Sequence, residues 1–374
     1  MKKLNILFSF LFLITLSFAQ ERIIVYDTPP PESEIDCSLP TPIIQNKARA
    51  LSQIDPYPRE MHGIQFAHSK GWTGKGIKIA ILDTGVKAHD DLPSVKEIRD
   101  YTGDSNCCDN HATHVFGTNA ALDNTFGVVG SCEPDLYDFR VLDNNGSGSS
   151  IRIGEAIVDA ADAGMDIISM SLGGDPNQAL KDACDYAILQ GCLVVAAAGN
   201  SGSDGMIYPA KWSNIISVFA VDQQKQSPDF SSHGIGIVSS GGVNILSTIN
   251  NDEYAPFSGT SMATPTISGV LAIMQEYAIA QGKRMTQVDA INELIRISED
   301  IGDPGRDVRT GYGIPDLTKY ILKERGEVEI EPDDDPIVDE PINDDPQNNP
   351  LALVIVLGIL IGVVGLIVLT QNKK

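Results

Sequence analysis

Four short stretches of the sequence carry side chains that could cooperate in acyl transfer. They contain Asp83 in "AILDTGV", His111 in "DNHATHVFGT", Asn200 in "VVAAAGNSG" and Ser261 in "FSGTSMATP". A serine hydroxyl that attacks a carbonyl needs a base to take its proton, and histidine has a suitable pKa. A carboxylate then fixes the imidazole tautomer and stabilises the imidazolium, while a side-chain amide can donate to the developing oxyanion. Together these residue types predict nucleophilic serine catalysis.

Each of these residues also has a simpler structural interpretation. Asp83 can satisfy a turn, and His111, Asn200 and Ser261 can cap helices. We favour catalysis because four separate stretches agree on one chemistry. The two roles are also compatible at Ser261, since a helix N-terminus offers a positive dipole end and an N–H group where an oxyanion would form.

The elements that must position these residues alternate between strands and helices. Five apolar runs read as buried strands of a parallel sheet covered on both faces: 77–83, 136–143, 166–172, 192–199 and 215–221. Between them, 151–164 and 177–191 have helical spacing and end in glycine. This alternation predicts an α/β fold with a doubly wound, mostly parallel sheet and helices on both faces. Sites in such sheets form beyond the carboxyl ends of the strands, which is where Asp83 and Asn200 lie.

The sequence resembles the subtilisin-like serine proteases (subtilases) from about Gln53 to Lys323. The resemblance is carried by "ILDTGV", "HATHVFGT", "SMSLGG", "AAAGN" and "SGTSMATP", and the chain order Asp, His, Ser is that of subtilisin itself. It implies that Asp83 orients His111, that His111 is the general base and then acid, and that Ser261 is the nucleophile. Asn200 would form the oxyanion hole with the Ser261 N–H, and His114 would be structural. No catalytic metal is needed.

The same resemblance implies how a peptide substrate is held. Two segments would pair with an extended peptide from both sides, and they consist of Gly146, Ser147, Gly148, Ser171, Leu172 and Gly173. Strand addition tolerates many sequences because its hydrogen bonds come from backbone. Taken alone, "NNGSGSS" would be a flexible loop. Ile207 would lie near the floor of the specificity pocket, where it disfavours bulky P1 side chains.

A structural calcium site is a further implication of the resemblance. Its ligand residues would be Gln53, Asp91, Leu122, Asn124, Phe126 and Val128, with carbonyl oxygens from the three apolar residues. Carboxylate, amide and carbonyl oxygens suit Ca²⁺. The alternative is an ordinary surface turn built on Asp-Asn.

Several positions depart from the family pattern. Ala112 stands where glycine is usual, Phe116 where a small residue is usual, and Thr266-Ile267 where His-Val normally follows. None of these changes removes an atom of the predicted triad, so we expect them to affect efficiency more than mechanism.

The two ends of the chain predict export and anchoring. Residues 1–19 read as a signal peptide, with two lysines, an apolar stretch and small residues before the expected cleavage site. The uncharged stretch 351–369 is long enough for a transmembrane helix, and the basic tail 370–374 should stay in the cytoplasm. An uncleaved N-terminal anchor and a later-removed C-terminal sorting signal are the alternatives, but no LPxTG-like motif supports the second. Gly358 and Gly362 could pair two helices, although glycine is common in membrane helices and no oligomeric state is predicted.

Two further segments flank the predicted peptidase domain of residues 52–325. Residues 20–51 form a short pro-segment or spacer, too brief and too broken by proline for a folded pro-domain. Residues 326–350 read as an acidic, proline-rich, disordered stalk, because 327–350 contains ten acidic residues and no base. The net charge of the chain is −23 and no basic patch exists, which excludes nucleic acid as a partner.

Six cysteines in an exported chain favour disulfides over a metal site, because no paired metal-ligand spacing is present. They are Cys37, Cys107, Cys108, Cys132, Cys184 and Cys192, and fifteen pairings are open.

The sequence therefore predicts an exported, membrane-anchored serine endopeptidase that acts on protein or peptide substrates. The alternative from another functional class is a catalytically silent subtilase-like module used for binding or as a scaffold. The presence of Asp83, His111, Asn200 and Ser261 together disfavours it, since a scaffold has no need for all four.

Overall fold

A computed structural model describes residues 52–105 and 109–326 and the backbone of Arg22–Ile24, apart from the side chain at 204. Its central feature is a seven-stranded sheet in which every neighbouring pair is parallel. The strands are β2 (Lys78–Asp83), β3 (Glu97–Asp100), β4 (Asp135–Arg140), β6 (Ile167–Met170), β7 (Leu193–Ala197), β8 (Ile216–Val221) and β9 (Val238–Gly241). Their spatial order is β3-β4-β2-β6-β7-β8-β9.

Short antiparallel pairs supplement this sheet. They join β1 (Arg22–Ile24) to β5 (Ser147–Ser149), β10 (Ile245–Ile249) to β11 (Glu253–Phe257) and β12 (Ser298–Glu299) to β13 (Ile314–Pro315). The β10–β11 hairpin turns through a single 3₁₀ turn at Asn250–Asp252. The first pair joins a segment near the N-terminus of the chain to the short strand that directly precedes the helix Ser150–Asp162.

Helices precede, connect and follow the strands of the large sheet. In the described part of the chain they are α1 (Tyr57–Met61), α2 (Ile64–Ser69), α3 (Asn110–Ala120), α4 (Ser150–Asp162), α5 (Gln178–Leu189), α6 (Thr260–Ala280), α7 (Gln287–Ile297) and α8 (Leu317–Glu324). The glycines predicted to end two of them follow α4 and α5, at Gly164 (φ 70°) and Gly191 (φ 91°). This left-handed conformation is one that glycine adopts without steric cost.

The α/β fold class with a parallel sheet is confirmed. All five predicted strands are present, and the inner ones are buried on both faces; β7, for example, has no residue more than 2% exposed. The two edge strands of the sheet were not predicted from the sequence. β3 reads "EIRD" and is mostly exposed, while β9 reads "VSSG", so neither has the continuous apolar run on which strand prediction rests.

Several predictions concern residues outside the described part of the chain. These are the signal peptide 1–19, the acidic stalk beyond residue 326, the transmembrane helix 351–369, the tail 370–374 and most of the segment 20–51. Among the described residues, no helix is both long and apolar enough to cross a bilayer. Cys132, Cys184 and Cys192 are buried and not in disulfides, so the predicted disulfides do not involve them; Cys37, Cys107 and Cys108 lie outside the described residues.

Candidate active site

The predicted site residues gather at one edge of the large sheet because its strands are parallel. Asp83 is the last residue of β2, and Leu82 of that strand pairs with Met170, the last residue of β6. Ser171 therefore follows at the level of Asp83, on a strand that lies about 4.8 Å away. Asn200 follows β7, which is the next strand in the sheet.

Asp83 and His111 form a close, buried pair. Nδ1 of His111 lies 2.8 Å from Oδ1 and 3.0 Å from Oδ2 of Asp83. Asp83 is fully buried and His111 is 6% exposed. Thr84 donates to Asp83 Oδ1 from its backbone N–H at 2.6 Å, and Asp109, the N-cap of α3, accepts from the His111 N–H at 2.8 Å. Both members of the pair are thus oriented by their neighbours.

Ser261 is the second residue of α6, but its hydroxyl does not cap that helix. Gly259 occupies the N-cap position and has no side chain with which to cap the helix. Instead, Ser261 Oγ donates to the Ser171 carbonyl at 3.2 Å, and Ser171 Oγ donates to the Ser261 carbonyl at 2.9 Å. The capping interpretation of the hydroxyl is therefore wrong, although Ser261 does lie in the first turn of a helix. The reciprocal bonds tie the start of α6 to the strand beside Asp83.

Asn200 is held by the residue that precedes Ser261. Its Oδ1 accepts from the Thr260 N–H at 2.9 Å and from Thr260 Oγ1 at 3.0 Å. Because both bonds engage the oxygen of the amide, its NH₂ group points away from Thr260. Thr260 Oγ1 also accepts from the Gly199 N–H at 3.1 Å, so one threonine fixes both the amide and the backbone before it.

The two predicted substrate segments follow β4 and β6, the strands on either side of β2. Ser147–Ser149 is already paired with a strand of the same chain, since Arg22, Ile23 and Ile24 oppose Ser149, Gly148 and Ser147 in antiparallel register. The other segment, 171–173, continues from β6 beside Ser261. The segment Ser147–Ser149 therefore pairs with an extended backbone in this structure.

Ile207 lies against the glycines of two segments that border Ser261 and Asn200. A Cβ added at Gly173 would lie 2.5 Å from Ile207 Cδ1, and one added at Gly199 would lie 3.1 Å from Ile207 Cγ1. The Ile207 N–H donates to the Ala198 carbonyl at 3.1 Å, which fixes the backbone that carries this side chain. Ile207 is half-buried, so it lines the slot between the two segments.

Hydrogen bonds link all six predicted calcium ligands to one another. Nε2 of Gln53 donates to the Leu122 carbonyl at 2.6 Å and to the Val128 carbonyl at 3.2 Å, and it lies 3.5 Å from Asn124 Oδ1. Asn124 Nδ2 donates to Asp91 Oδ1 at 2.7 Å. Phe126 belongs to the same loop, and its N–H donates to Asn124 Oδ1 at 2.7 Å. Oxygen atoms thus converge on the end of the Gln53 side chain, and turning its amide would add another oxygen.

Asp91 is the single acidic residue of this group, and its surroundings are unusual for a carboxylate. Its Oδ2 accepts from the Val128 N–H at 2.9 Å and from the Tyr254 hydroxyl at 3.1 Å. Burial raises the pKa of Asp91 above its ordinary value, although the bonds from Val128, Asn124 and Tyr254 oppose this. A Cβ at Gly127 would lie 2.2 Å from Asp91 Oδ2, so only glycine fits there. This donor set, with one carboxylate and several neutral oxygens, fits Ca²⁺.

The sequence analysis missed the residues that support the site. Thr260 and Tyr254 act through the hydrogen bonds described above, and no spacing signal marks them; Ser171 was predicted as a substrate residue, but its reciprocal bonds with Ser261 were not. His114, expected to be structural, lies with Nε2 at 2.8 Å from the Ile245 carbonyl and 3.1 Å from the Ala255 carbonyl. The unusual residues of the sequence, Ala112, Phe116, Thr266 and Ile267, are all fully buried within α3 and α6.

Comparisons with known proteins identify the family of the sequence. The sequence model of the subtilase family matches residues 74–313. The thermostable alkaline protease of Halalkalibacterium halodurans is 41% identical over 238 residues, which cover 62% of this chain and 66% of the relative. Subtilisin Savinase of Lederbergia lenta is 40% identical over 222 residues, covering 56% and 80%, and subtilisin DY of Bacillus licheniformis is 39% identical over 263 residues, covering 67% and 94%.

The fold and the site define an α/β protein with a buried Asp–His pair and a helix-borne serine at one sheet edge. The match to the family model covers well over half of the chain. The chain therefore belongs to the subtilase family of subtilisin-like serine proteases. It spans just under two thirds of the length of the H. halodurans relative.

Proposed function

We propose that this protein is an exported, membrane-anchored serine endopeptidase that hydrolyses peptide bonds through Asp83, His111 and Ser261. The observation that carries the proposal is the 2.8 Å contact between His111 Nδ1 and Asp83 Oδ1, one strand away from the segment that holds the Ser261 hydroxyl. Membership of the subtilase family supports the same chemistry.

The proposed reaction has two halves. Ser261 Oγ attacks the carbonyl carbon of the scissile bond while His111 takes the hydroxyl proton at Nε2. Asp83 stabilises the imidazolium that forms and keeps Nδ1 protonated. His111 then gives the proton to the leaving amine, and the acyl group stays on Ser261. In the second half, water attacks the acyl-enzyme with His111 again acting as the base.

The developing oxyanion would be stabilised by the Ser261 N–H and the NH₂ group of Asn200. Thr260 supports this role because it donates both of its hydrogen bonds to Oδ1 of Asn200. The NH₂ group of Asn200 therefore points away from Thr260 and is not used by it. The N-terminus of α6 adds the positive end of its dipole. A donor of this kind is typically worth about 10²–10³ in kcat.

The substrate would bind as an added strand between 146–148 and 171–173. The pairing of Arg22–Ile24 with Ser147–Ser149 supports this, because it is the backbone arrangement that an extended peptide would adopt. The position of Ile207 against Gly173 and Gly199 supports a preference for small side chains at P1, since the slot beside Ser261 is already partly filled.

A calcium ion is proposed as a structural cofactor. Gln53, Asp91, Asn124 and the carbonyls of Leu122, Phe126 and Val128 would hold it, and the convergence of oxygens on Gln53 supports this. When bound, the ion would supply charge that replaces the hydrogen bonds now linking these oxygens. It would take no part in the reaction.

The cellular location rests on the two ends of the sequence. We infer that residues 1–19 direct export, that 20–51 precede the peptidase domain 52–325, and that the acidic segment 326–350 separates this domain from the anchor 351–369. The peptidase domain would then lie outside the cytoplasm.

Labelling with a fluorophosphonate probe tests the proposed chemistry, because its phosphorus forms a bond with an activated serine and releases fluoride. The wild-type full-length protein should be labelled, whereas Ser261→Ala should not, and it should lose more than about 10³-fold of the peptidase activity. Ser258→Ala, a neighbouring serine whose Oγ accepts from the Asn244 N–H, is the matched control and should be labelled normally. Undiminished labelling of Ser261→Ala, or an unlabelled wild type, would overturn the proposal; the second result would favour a binding or scaffold role.

A further inference from the structure

Two buried charged residues of β4 hold the turn that follows Asp83. The Val86 N–H donates to Asp138 Oδ2 at 3.0 Å, and Arg140 Nε donates to the Thr84 carbonyl at 3.1 Å. β4 is the parallel neighbour of β2, with Asp138 opposite Ile81 and Arg140 opposite Asp83. Side chains of the adjacent strand therefore hold this turn by hydrogen bonds at both of its ends, Thr84 and Val86.

Arg140 is itself fixed. Its Nη1 donates to Asp100 Oδ2 at 2.9 Å and to the Asp104 carbonyl at 2.6 Å. The residue is 3% exposed, so its guanidinium is a rigid donor rather than a mobile surface group. Its hold on the Thr84 carbonyl fixes the peptide directly after Asp83.

Asp138 is the unusual member of this arrangement. It is 1% exposed, and its Oδ1 has no hydrogen-bond partner among the described residues. Burial is the main reason that the pKa of Asp138 is raised to about 7; the nearby charge of Asp83 acts in the same direction, whereas the hydrogen bond from Val86 and the charge of Arg140 oppose the shift. A buried carboxyl with one bond and an unfavourable charge beside it is costly to keep, which points to a role beyond packing.

We propose that Asp138 is a positioning residue: its carboxyl group holds the turn after Asp83 and thereby fixes the Asp83 carboxylate against His111. The inference rests on the proposed function, in which Asp83 and His111 are the catalytic pair. Val86 lies three residues beyond Asp83, and Thr84 between them donates to Asp83 Oδ1 from both its N–H and its hydroxyl. Loosening the turn at Val86 would move Thr84, and with it the orientation of the Asp83 carboxylate.

Asp138 also influences the pair through charge. The charged groups that face it are Asp83 on β2, Arg140 on β4 and Asp100 on β3. When Asp138 is ionised, it adds a second negative charge behind Asp83 and so favours the imidazolium form of His111. Removing that charge should therefore shift the acid limb of the pH–rate profile to lower pH, by about 0.3–1 pH unit.

Two variants of the full-length protein separate the hydrogen bond from the charge. Asp138→Ala removes both, and we expect kcat to fall roughly tenfold to a hundredfold with KM changed less than about twofold, because misplaced catalytic groups lower kcat. Asp138→Asn keeps an oxygen that can accept from the Val86 N–H, so it should restore kcat to within about threefold of wild type. It should still show the shifted acid limb. Titration with a fluorophosphonate probe counts active sites, so that loss of folded protein is not read as loss of kcat.

The matched control is Asp135→Ala, in the first residue of the same strand, whose carboxylate pairs with Lys96 at the surface. It should leave kcat and the pH profile unchanged. If Asp138→Ala keeps kcat within twofold of wild type, or if Asp135→Ala has the same effect, the inference is overturned.

A second measurement does not depend on catalysis. In the Ser261→Ala background, the pH midpoint of the His111 imidazole can be followed by NMR, with His111→Gln identifying its signal. Asp138→Asn should lower that midpoint, and an unchanged midpoint would contradict the inference. A wild-type protein without peptidase activity would refute the proposed function, while this titration would still decide the role of Asp138.

Discussion

Ile207 is the side chain that we propose restricts the substrate slot between Gly173 and Gly199. Its Cδ1 and Cγ1 atoms lie only 2.5 Å and 2.6 Å from the position that a Cβ at Gly173 would occupy. A β-branched side chain has little rotamer freedom, so it should not move aside for a large P1 group. Wild type should therefore cleave peptides with Ala at P1 better than those with Phe at P1. Ile207→Ala should raise kcat/KM for the Phe peptide relative to the Ala peptide by about tenfold to a hundredfold.

Two matched peptides that differ only at P1 are sufficient for this measurement. Ile98→Ala serves as the control, since Ile98 is a 63% exposed isoleucine on the edge strand β3. A wild-type preference for Phe, or an Ile207→Ala variant with an unchanged ratio, would contradict the predicted restriction.

Asp138 makes stability depend on pH in a direction that can be worked out. Its pKa is about 7 in the folded protein against an ordinary value of 3.8, so the folded state retains a proton that the unfolded state has lost. Stability should therefore fall as pH rises from about 4 to about 7, and the full cost, of order 4 kcal/mol, should apply above pH 7. Asp138→Asn removes this ionisation. The stability advantage of this variant over its parent should therefore grow as the pH rises from 4 to 8.

Urea unfolding of Ser261→Ala with and without Asp138→Asn measures the effect without self-digestion. Asp135→Asn, at a partly exposed position, should show no comparable gain. If the free energies of unfolding of the Asp138→Asn protein and its parent differ by the same amount at pH 4 and at pH 8, the pKa of Asp138 in the folded protein is not raised as described.

At the scale of elements, the loop 122–128 is joined to the segment before α1 as well as to Asp91. Gln53 reaches this loop through its side chain, and the Ile54 N–H donates to the Gly127 carbonyl at 2.8 Å. A calcium ion bound among these oxygens would stabilise only the folded protein, by about 2.7 kcal/mol at a hundredfold excess over Kd. Removing it with EDTA should lower the Tm of the Ser261→Ala protein by about 5–10 °C.

Calcium added after EDTA should restore the Tm, and magnesium should not, because Mg²⁺ requires a tighter octahedral shell. Asp91→Asn should have a low Tm that EDTA does not change further. An unaltered Tm of the parent protein after chelation would argue for an ordinary turn held by the hydrogen bonds of Gln53 and Asn124.

The strands and helices also show which parts of the fold and the site could be predicted from the sequence, and why the other parts could not. The inner strands were recognisable because both of their faces are buried, which requires continuous apolar residues, as in "LVVAA". The edge strand β3 has no such requirement, and its pairing with β4 depends on backbone contacts that composition does not report. The site residues that end strands or begin helices could be named in advance. Thr260 and Tyr254 could not, because their roles arise only when distant segments meet.

At the scale of the whole molecule, parallel topology explains how residues far apart in the chain come together. Every strand of the large sheet ends at the same edge, so Asp83, Ser171 and Asn200 need no special loop to become neighbours. The helices α3 and α6 then bring His111 and Ser261 to that edge. One of their contacts is the bond from Asn119 Nδ2 to the Pro265 carbonyl at 2.9 Å. The fold thus assembles the site from five separate segments of a scaffold whose inner strands are buried.

The proposed location of the whole molecule can be tested by asking what holds it in a membrane fraction. The uncharged stretch 351–369 is followed by Lys373 and Lys374, which favours a helix that spans the bilayer with these lysines on the cytoplasmic side. The full-length protein should therefore stay in the pellet after extraction with alkaline carbonate, which releases proteins held only at the surface. A protein that ends at residue 350 should be exported and recovered in the soluble fraction with its peptidase activity intact.

The acidic segment supplies the control for this experiment. The net charge of the chain is −23, and ten acidic residues lie in 327–350, so binding through this segment and cations at the surface is the competing explanation. A protein that keeps 351–374 but lacks 327–350 should remain in the pellet, because membrane insertion depends on the apolar stretch rather than on charge. If that protein is released by carbonate, or if the protein ending at residue 350 still pellets, the apolar stretch is not the anchor.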